Sequence, residues 1–315
     1  MKYCFGIDIG GTTIKVGLVE KTGMIEQRWE VPTRKGNEPT GLLEDVKASI
    51  AACMSEKGLE KDDILGIGIA APGPVTADGV LHGCVNIGWG DVNLAEMAQN
   101  ILGISPVRVG NDARIAALGE AIYGAGRGAK SMLMVTLGTG VGGGVVLDGK
   151  ILMGESGVAG EIGHMTIDPY ETEVCGCGKK GCLEQYASAT GMVRAAERFL
   201  RERTENSVLR QTEEFSAKVL WDAAKEGDIL ANEIVDFVCD RLGSALVNAT
   251  YLVDTEQIVI GGGVCAAGQF LLDKIEKSYH EKVFAHSRGK HFALAELGND
   301  AGIAGAAALI LQDEE

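Results

Sequence analysis

Apolar positions fall into short β-branched runs at the start of the chain and again near its middle. Residues 3–25, YCFGIDIGGTTIKVGLVEKTGMI, place two such runs around a glycine-rich turn, which predicts a strand, a turn and a second strand. Residues 131–152, SMLMVTLGTGVGGGVVLDGKIL, repeat the plan around a Gly-Thr-Gly turn. One device is used twice, near the start of each half. In VRVGNDARIAALGEAIYGAG, residues 107–126, an apolar strand gives way at Asn111 and Asp112 to the helical spacing of Ile115, Leu118 and Ile122. Both polar residues are therefore N-cap candidates. QIVIGGGVCAAG, residues 257–268, reads as a strand ending in glycines, followed by the helical pattern FLLDKIEKSYHEKV. A helix is also predicted in LLEDVKASIAACMSEKG, a loop in AAPGPVTADG, and largely helical structure over 189–255, including a long amphipathic pattern in ANEIVDFVCDRLGSALVNATYLVD.

The turns carry the candidate chemistry. The first holds Asp8, Gly10, Gly11, Thr12 and Thr13, and the second Gly138, Thr139 and Gly140. Glycines let the backbone approach a phosphate, while amide N–H groups and threonine hydroxyls donate to its oxygens. Two such turns facing each other would clamp phosphates between two domains. Gly138, Gly140 and Gly143 also satisfy GxGxxG, but a dinucleotide site needs a helix directly after the turn. VVLDGKI follows instead, so that reading fails on context. Gly261, Gly262 and Gly263 fit either a nucleotide-side loop at a helix N-terminus or a plain strand-to-helix connection. Asn111 and Asp112 fit either capping alone or a site at a strand end, where ligands of open α/β sheets bind and a carboxylate could accept the proton of an attacking hydroxyl.

Composition narrows the setting. A chain of 315 residues suggests two domains at ~150 residues each. Its net charge of -15 would repel nucleic acid. No stretch approaches the ~20 apolar residues of a membrane span, and MKYCFGIDIGG lacks the apolar core of a secretory signal. The expectation is a cytoplasmic protein acting on small molecules, with no nucleic-acid or membrane partner.

In a reducing cytosol, closely spaced cysteines point to metal or redox work rather than disulfides. Cys175, Cys177 and Cys182 lie inside CGCGKKGCLE, which lacks the CxxC of a redox pair. The intervening glycines permit tight turns that bring three thiolates together. Three tetrahedral ligands ask for a fourth, and the nearest upstream candidate is His164 in GEIGH. A compact turn without metal is the plainer alternative. The cysteines at 4, 53, 84, 239 and 265 lie among apolar neighbours and read as small core hydrophobes.

Taken in order, DIGGTTIK, NDARIAALGE, VTLGTGVGGG, GEIGH, CGCGKKGCLE and IVIGGG resemble the ROK family of bacterial sugar kinases and repressors, and most closely its glucokinases. The resemblance implies an α/β chain with the duplicated actin-like ATPase (ribonuclease H-like) fold, two domains and an interdomain cleft. The smaller domain would take residues 1–116, joined by a returning helix at about 301–315, and the larger 117–300 with a zinc loop. It also implies ATP-dependent phosphorylation of glucose at the 6-hydroxyl. Asp112 resembles the catalytic base. Asn86, Asn111, Asp112, Glu161, His164 and Glu184 resemble sugar contacts, and His164 with Cys175, Cys177 and Cys182 a structural Zn2+ site. Gly10, Gly11, Thr12 and Thr13, with Gly138, Thr139 and Gly140, would hold the ATP phosphates, Gly261 to Gly263 would lie on the nucleotide side, and Asp8 would lie near Mg2+. Lys15 reads either as neutralising phosphate charge or as an exposed hairpin lysine. A homodimer or higher homo-oligomer is the family expectation. Other ROK hexose kinases share these motifs, and a sugar sensor without catalysis is the alternative of another class. ROK repressors place a helix-turn-helix domain ahead of DxGGT, and here that motif begins at Asp8.

Overall fold

The computed structural model describes residues 2–36, 38–84, 87–212 and 214–312. Strands β1 (Tyr3–Ile9) and β2 (Thr13–Glu20) pair antiparallel, with Asp8 opposite Lys15. A strand the sequence reading left unassigned, β3 (Ile25–Pro32), adds to β2. Helix α1 (Thr40–Lys57) follows and stops at Gly58, whose φ of 64° suits a residue without a Cβ. Strand β4 (Ile64–Ala71) runs parallel to β1. It too went unassigned, and its last two residues correct the loop expected over 70–79. ILGIGIAA is apolar throughout because both faces of β4 are covered, so it shows no alternation.

A short ribbon of β5 (Val80–Leu81) and β6 (Val92–Asn93) leads into α2 (Leu94–Leu102), β7 (Val107–Asn111) and α3 (Asp112–Tyr123). The second half opens with β8 (Ser131–Leu137), β9 (Val141–Leu147) and β10 (Lys150–Ile151). Strand β9 follows the Gly-Thr-Gly turn directly, as the rejection of a dinucleotide fingerprint required. Helices α4 (Glu184–Ala187), α5 (Ala189–Glu202), α6 (Ala217–Lys225) and α7 (Ile229–Val253) come next, then β11 (Gln257–Gly261), α8 (Gln269–Lys282), β12 (His291–Leu294) and α9 (Ala301–Leu311). Between β11 and α8 the chain inserts a short 3-10 turn, Gly263–Ala267, so the helix does not start at the glycine cluster.

The two sheets have the orders β3-β2-β1-β4-β7 and β10-β9-β8-β11-β12, the same plan used twice. The duplication expected from the paired turns extends to five strands each. The chain forms two compact units: Met1–Gly128 with Gly144–Ala159 and Glu296–Glu315, and Ala129–Gly143 with Gly160–Ala295.

In the first unit, alternation along β1 decides what covers each face. Phe5, Ile7 and Ile9 join Leu42, Leu43, Val46 and Ile50 of α1 in one buried cluster. Cys4 points the other way and packs with Ile303, Ala307 and Ile310 of α9. Gly6 shares the Cys4 side, and a Cβ on it would collide with the backbone oxygen of Ile303; one on Gly68 would collide with that of Ala306. The glycines and alanines of GNDAGIAGAAALIL thus allow backbone-to-backbone contact with the sheet. This is the returning helix that the family resemblance implies. No helix among the described residues is long and apolar enough to cross a membrane.

Candidate active site and metal centre

In the first unit the DIGGT turn closes β1 onto β2 through a Gly10 N–H bond to the Thr13 carbonyl. Thr33 holds it from the side, its hydroxyl donating to the Gly10 carbonyl at 2.7 Å and its N–H to the Thr12 carbonyl at 2.9 Å. Asp8 points toward α9, where a Cβ on Gly302 would stand 2.6 Å from its carboxyl carbon. Burial raises the Asp8 pKa, and Lys15, 4.0 Å away, opposes the shift. Lys15 also donates to the Asn299 side chain at 3.3 Å, so it is a tethered cation at the turn rather than a free hairpin lysine.

Asn111 ends β7 and caps α3, its side-chain oxygen accepting the Arg114 N–H at 3.2 Å. Its amide donates to the Gly73 carbonyl at 3.0 Å and to Asp112 Oδ1 at 3.0 Å. Asp112 Oδ1 also accepts the Ala113 N–H at 2.8 Å. One carboxylate oxygen is held by two donors at a helix start, which fixes the direction of the other.

In the second unit the Gly-Thr-Gly turn faces a cavity of about 440 Å³ lined by Gly138, Thr139, Ser216, Trp221, Gly263 and Ala267 among others. A Cβ on Gly138 or Gly263 would meet nothing within 4 Å, so both glycines front open space. Gly262 has a different reason: its φ is 86° and a Cβ would stand 2.5 Å from the Leu137 carbonyl. A further wall of the cavity comes from the start of α6, a region whose sequence reads only as largely helical. Ser216, which caps α6 by accepting the Val219 N–H at 3.3 Å, was the legible signal there.

The cysteine loop and GEIGH segment meet as expected. His164, Cys175, Cys177 and Cys182 place ligand atoms all within 4.8 Å of one another. Cys177 Sγ and Cys182 Sγ are 3.6 Å apart, close to the ~3.8 Å between two sulfurs on a tetrahedral zinc with ~2.3 Å bonds. His164 Nδ1 is buried with no hydrogen-bond partner, as a nitrogen kept for a metal would be. Burial, then the neighbouring thiols, push Cys182 up to about 12, and burial raises Cys175. Burial acts the same way on Cys177, but the Lys179 N–H and the two other thiols hold it below its ordinary value. Three thiolates together therefore need a cation, and the donor set fits one. Of the remaining cysteines, Cys4, Cys53, Cys84 and Cys239 are buried as expected, while Cys265 is half-buried and its thiol donates to the Ile260 carbonyl at 3.1 Å.

Several contacts fix the loop. Lys179 Nζ donates to the His164 carbonyl at 2.9 Å, and the Cys182 N–H donates to Gln185 Oε1 at 3.1 Å. Gln185's own carbonyl accepts from Arg194 at 2.8 Å. Arg194 and Arg198 both reach Glu171, whose side chain is only 2% exposed. Burial works to raise Glu171, but the Tyr186 hydroxyl at 2.8 Å, the N–H groups of Thr172 and Glu173, and Arg198 overcome it and hold its pKa at about 2. Sequence reasoning missed this brace, because an acidic residue in a loop reads as solvated.

Glu161 begins the short turn Ile162–His164. Gly163 packs on the Val141 carbonyl of β9. Glu184 starts α4, and its Oε2 accepts the Val141 N–H at 3.0 Å. Asn86 lies outside the described residues.

The ROK family pattern matches residues 4–313. The glucokinase of Halalkalibacterium halodurans is 42% identical over 320 residues, covering 99% of this chain and 96% of the relative. The glucokinase of Thermotoga maritima is 36% identical over 318 residues, covering 97% and 96%. A solved ROK family glucokinase from Streptomyces griseus, in complex with glucose and AMPPNP, matches with a TM-score of 0.77 at 34% identity, over 98% of this chain and 99% of that one. With its two equivalent sheets and a match from residue 4 to residue 313, the chain belongs to the ROK family and has the actin-like ATPase fold of the family's sugar kinases.

Proposed function

We propose that the chain is a glucokinase, transferring the γ-phosphoryl group of ATP to the 6-hydroxyl of glucose to give glucose 6-phosphate and ADP. The observation that carries this reading is Asp112, a carboxylate held at the β7–α3 junction by the Ala113 N–H and the Asn111 amide. Relatives named glucokinase at 42% and 36% identity support it.

In this mechanism the 6-hydroxyl attacks the γ-phosphorus as the bond to the bridging oxygen breaks, and Asp112 takes the hydroxyl proton. A carboxylate is a weak base, but a loose phosphoryl transition state needs the nucleophile oriented more than deprotonated early. Gly10 to Thr13 and Gly138 to Gly140 hold the phosphates through backbone N–H and hydroxyl groups, and the adenosine occupies the cavity beside Gly138 and Trp221. Asp8 offers the single carboxylate that suits Mg2+, which takes one or two carboxylates plus phosphate oxygens and supplies charge neutralisation. Lys15 adds a tethered positive charge. Asn86, Asn111, Glu161, His164 and Glu184 hold the sugar. His164, Cys175, Cys177 and Cys182 hold zinc in a closed structural site that fixes the GEIGH and cysteine segments. The family likeness extends the proposal to a cytoplasmic homodimer or higher homo-oligomer, which sedimentation would read directly.

ADP release with magnesium and ATP, compared across glucose, N-acetylmannosamine, N-acetylglucosamine, mannose and fructose, tests the reading. Preference for glucose is the expected result. Preference for another sugar would replace the substrate and keep the chemistry. No turnover on any of them would favour a sugar sensor and remove the role given to Asp112.

A further inference from the structure

The residues that follow the cysteine loop do more than continue it. Glu184 Oε2 accepts the Val141 N–H at 3.0 Å, and a Cβ on Gly140 would stand 2.5 Å from that oxygen. Five residues on, the Ala189 N–H donates to the Gly138 carbonyl at 2.8 Å. The Thr190 hydroxyl donates to the Thr139 carbonyl at 3.3 Å. Between them Ser188 closes the segment on itself, its hydroxyl donating to the Glu184 carbonyl at 2.7 Å. Every residue from Gly138 to Val141 is therefore in contact with the 184–190 segment. The other end of the same segment is separated from Cys182 by Leu183 alone, and the Cys175 thiol lies 3.7 Å from Glu184 Oε1.

We infer that Glu184 and Thr190 are positioning residues for the nucleotide, locking the Gly138–Gly140 turn to the cysteine loop so that the loop sets nucleotide affinity as well as sugar binding. The physical reason is the direction of the turn's own donors. A Gly-Thr-Gly turn has little side-chain packing to hold it. Its Gly138 N–H is spent on the Gly140 carbonyl at 3.0 Å, and its remaining amides keep one direction toward a phosphate only if the turn's other carbonyls are engaged. The 184–190 segment engages the carbonyls of Gly138 and Thr139 and the N–H of Val141, which leaves the open side of Gly138 facing the cavity. Glu184 has the capacity for both duties. Oε2 is committed to Val141, whereas Oε1, 3.7 Å from the Cys175 thiol, is the oxygen left for a sugar hydroxyl.

The inference rests on the nucleotide reading of the Gly-Thr-Gly turn. Its test is equilibrium dialysis with ADP in the absence of sugar, alongside glucose binding in the absence of nucleotide and the metal content of each protein. Glu184→Ala should weaken ADP binding roughly tenfold, the effect of losing one charge-assisted hydrogen bond, with metal content unchanged. Glu184→Gln keeps an acceptor for Val141 and should hold ADP affinity within about twofold of wild type. Thr190→Val touches neither sugar nor metal residues and should weaken ADP binding about threefold with glucose affinity unchanged. ADP binding equal to wild type in both Glu184→Ala and Thr190→Val would overturn the inference alone. Absence of ADP binding by the wild-type protein would overturn the nucleotide reading beneath it.

Discussion

The Glu120 carboxylate accepts the backbone N–H of Leu297 at 2.7 Å, joining residues 177 positions apart in the chain. It also accepts the N–H groups of Glu296 at 3.0 Å and Ala125 at 2.9 Å, and Glu120 is fully buried. A single side chain thus ties the end of α3 to the segment that leads into α9.

Replacing Glu120 by Ala removes the acceptor that three part-buried N–H groups share. Water can reach some of them in its place, so the cost is less than that of three fully buried unsatisfied donors at ~1–3 kcal/mol each. The expected loss is on the order of 1–3 kcal/mol in urea unfolding, with the slope unchanged. A change below ~1 kcal/mol would mean that water or a rearranged backbone supplies the missing acceptor.

Asp112→Asn keeps the oxygen that Ala113 and Asn111 bind but removes the base. The turnover rate should fall at least ~10²-fold, while glucose and ADP dissociation constants stay within a few-fold. An equal fall in glucose affinity would make Asp112 a binding residue rather than the base.

Cys177 is the exposed member of the cluster, whereas Cys175 and Cys182 are buried. Cys177→Ser should therefore release the metal and abolish glucose binding with little loss of helix content, since the large cores do not depend on the loop. Metal analysis and far-ultraviolet circular dichroism read the two effects separately. Retention of one zinc per chain, or of glucose binding, would contradict the assigned ligand set.

Glu171 is held at about 2 against an ordinary 4.5. A carboxylate depressed by folding contributes stability in full above its unfolded pKa, and loses that contribution as pH falls through 4.5 toward 2. The contribution is on the order of 3 kcal/mol. Wild type and Glu171→Gln should therefore differ most at neutral pH and converge as the solution is acidified over that window. A gap that stays constant with pH would show that the ionised Glu171 adds nothing beyond its packing.

Legibility in the sequence followed whether a residue's role left a periodic trace. The paired turns, the Asn111–Asp112 junction and the cysteine cluster were legible because each interrupts a strand or helix pattern with residue types of narrow use. Strand β4 was not, because a strand covered on both faces has no alternation, and its end runs into a Pro-Gly loop. Glu120 was invisible for the opposite reason: a polar residue in a helical pattern reads as solvent-facing, and only the fold brings Glu296 and Leu297 to it. At the α6 wall of the cavity only the Ser216 cap left a trace; that Ser216 and Trp221 line a cavity follows from the glycines of two other segments.

Helix α9 is the final element of the chain, yet it packs on β1, the first. About 290 residues separate them, which at ~5–20 residues per second is roughly 15 to 60 seconds of synthesis. Throughout that interval one face of the N-terminal sheet lacks its cover, with the glycines of β1 and β4 exposed. The sheet that contains β1 is thus completed only when α9 is made, and a ribosome that stalls before α9 leaves its product with a bare sheet.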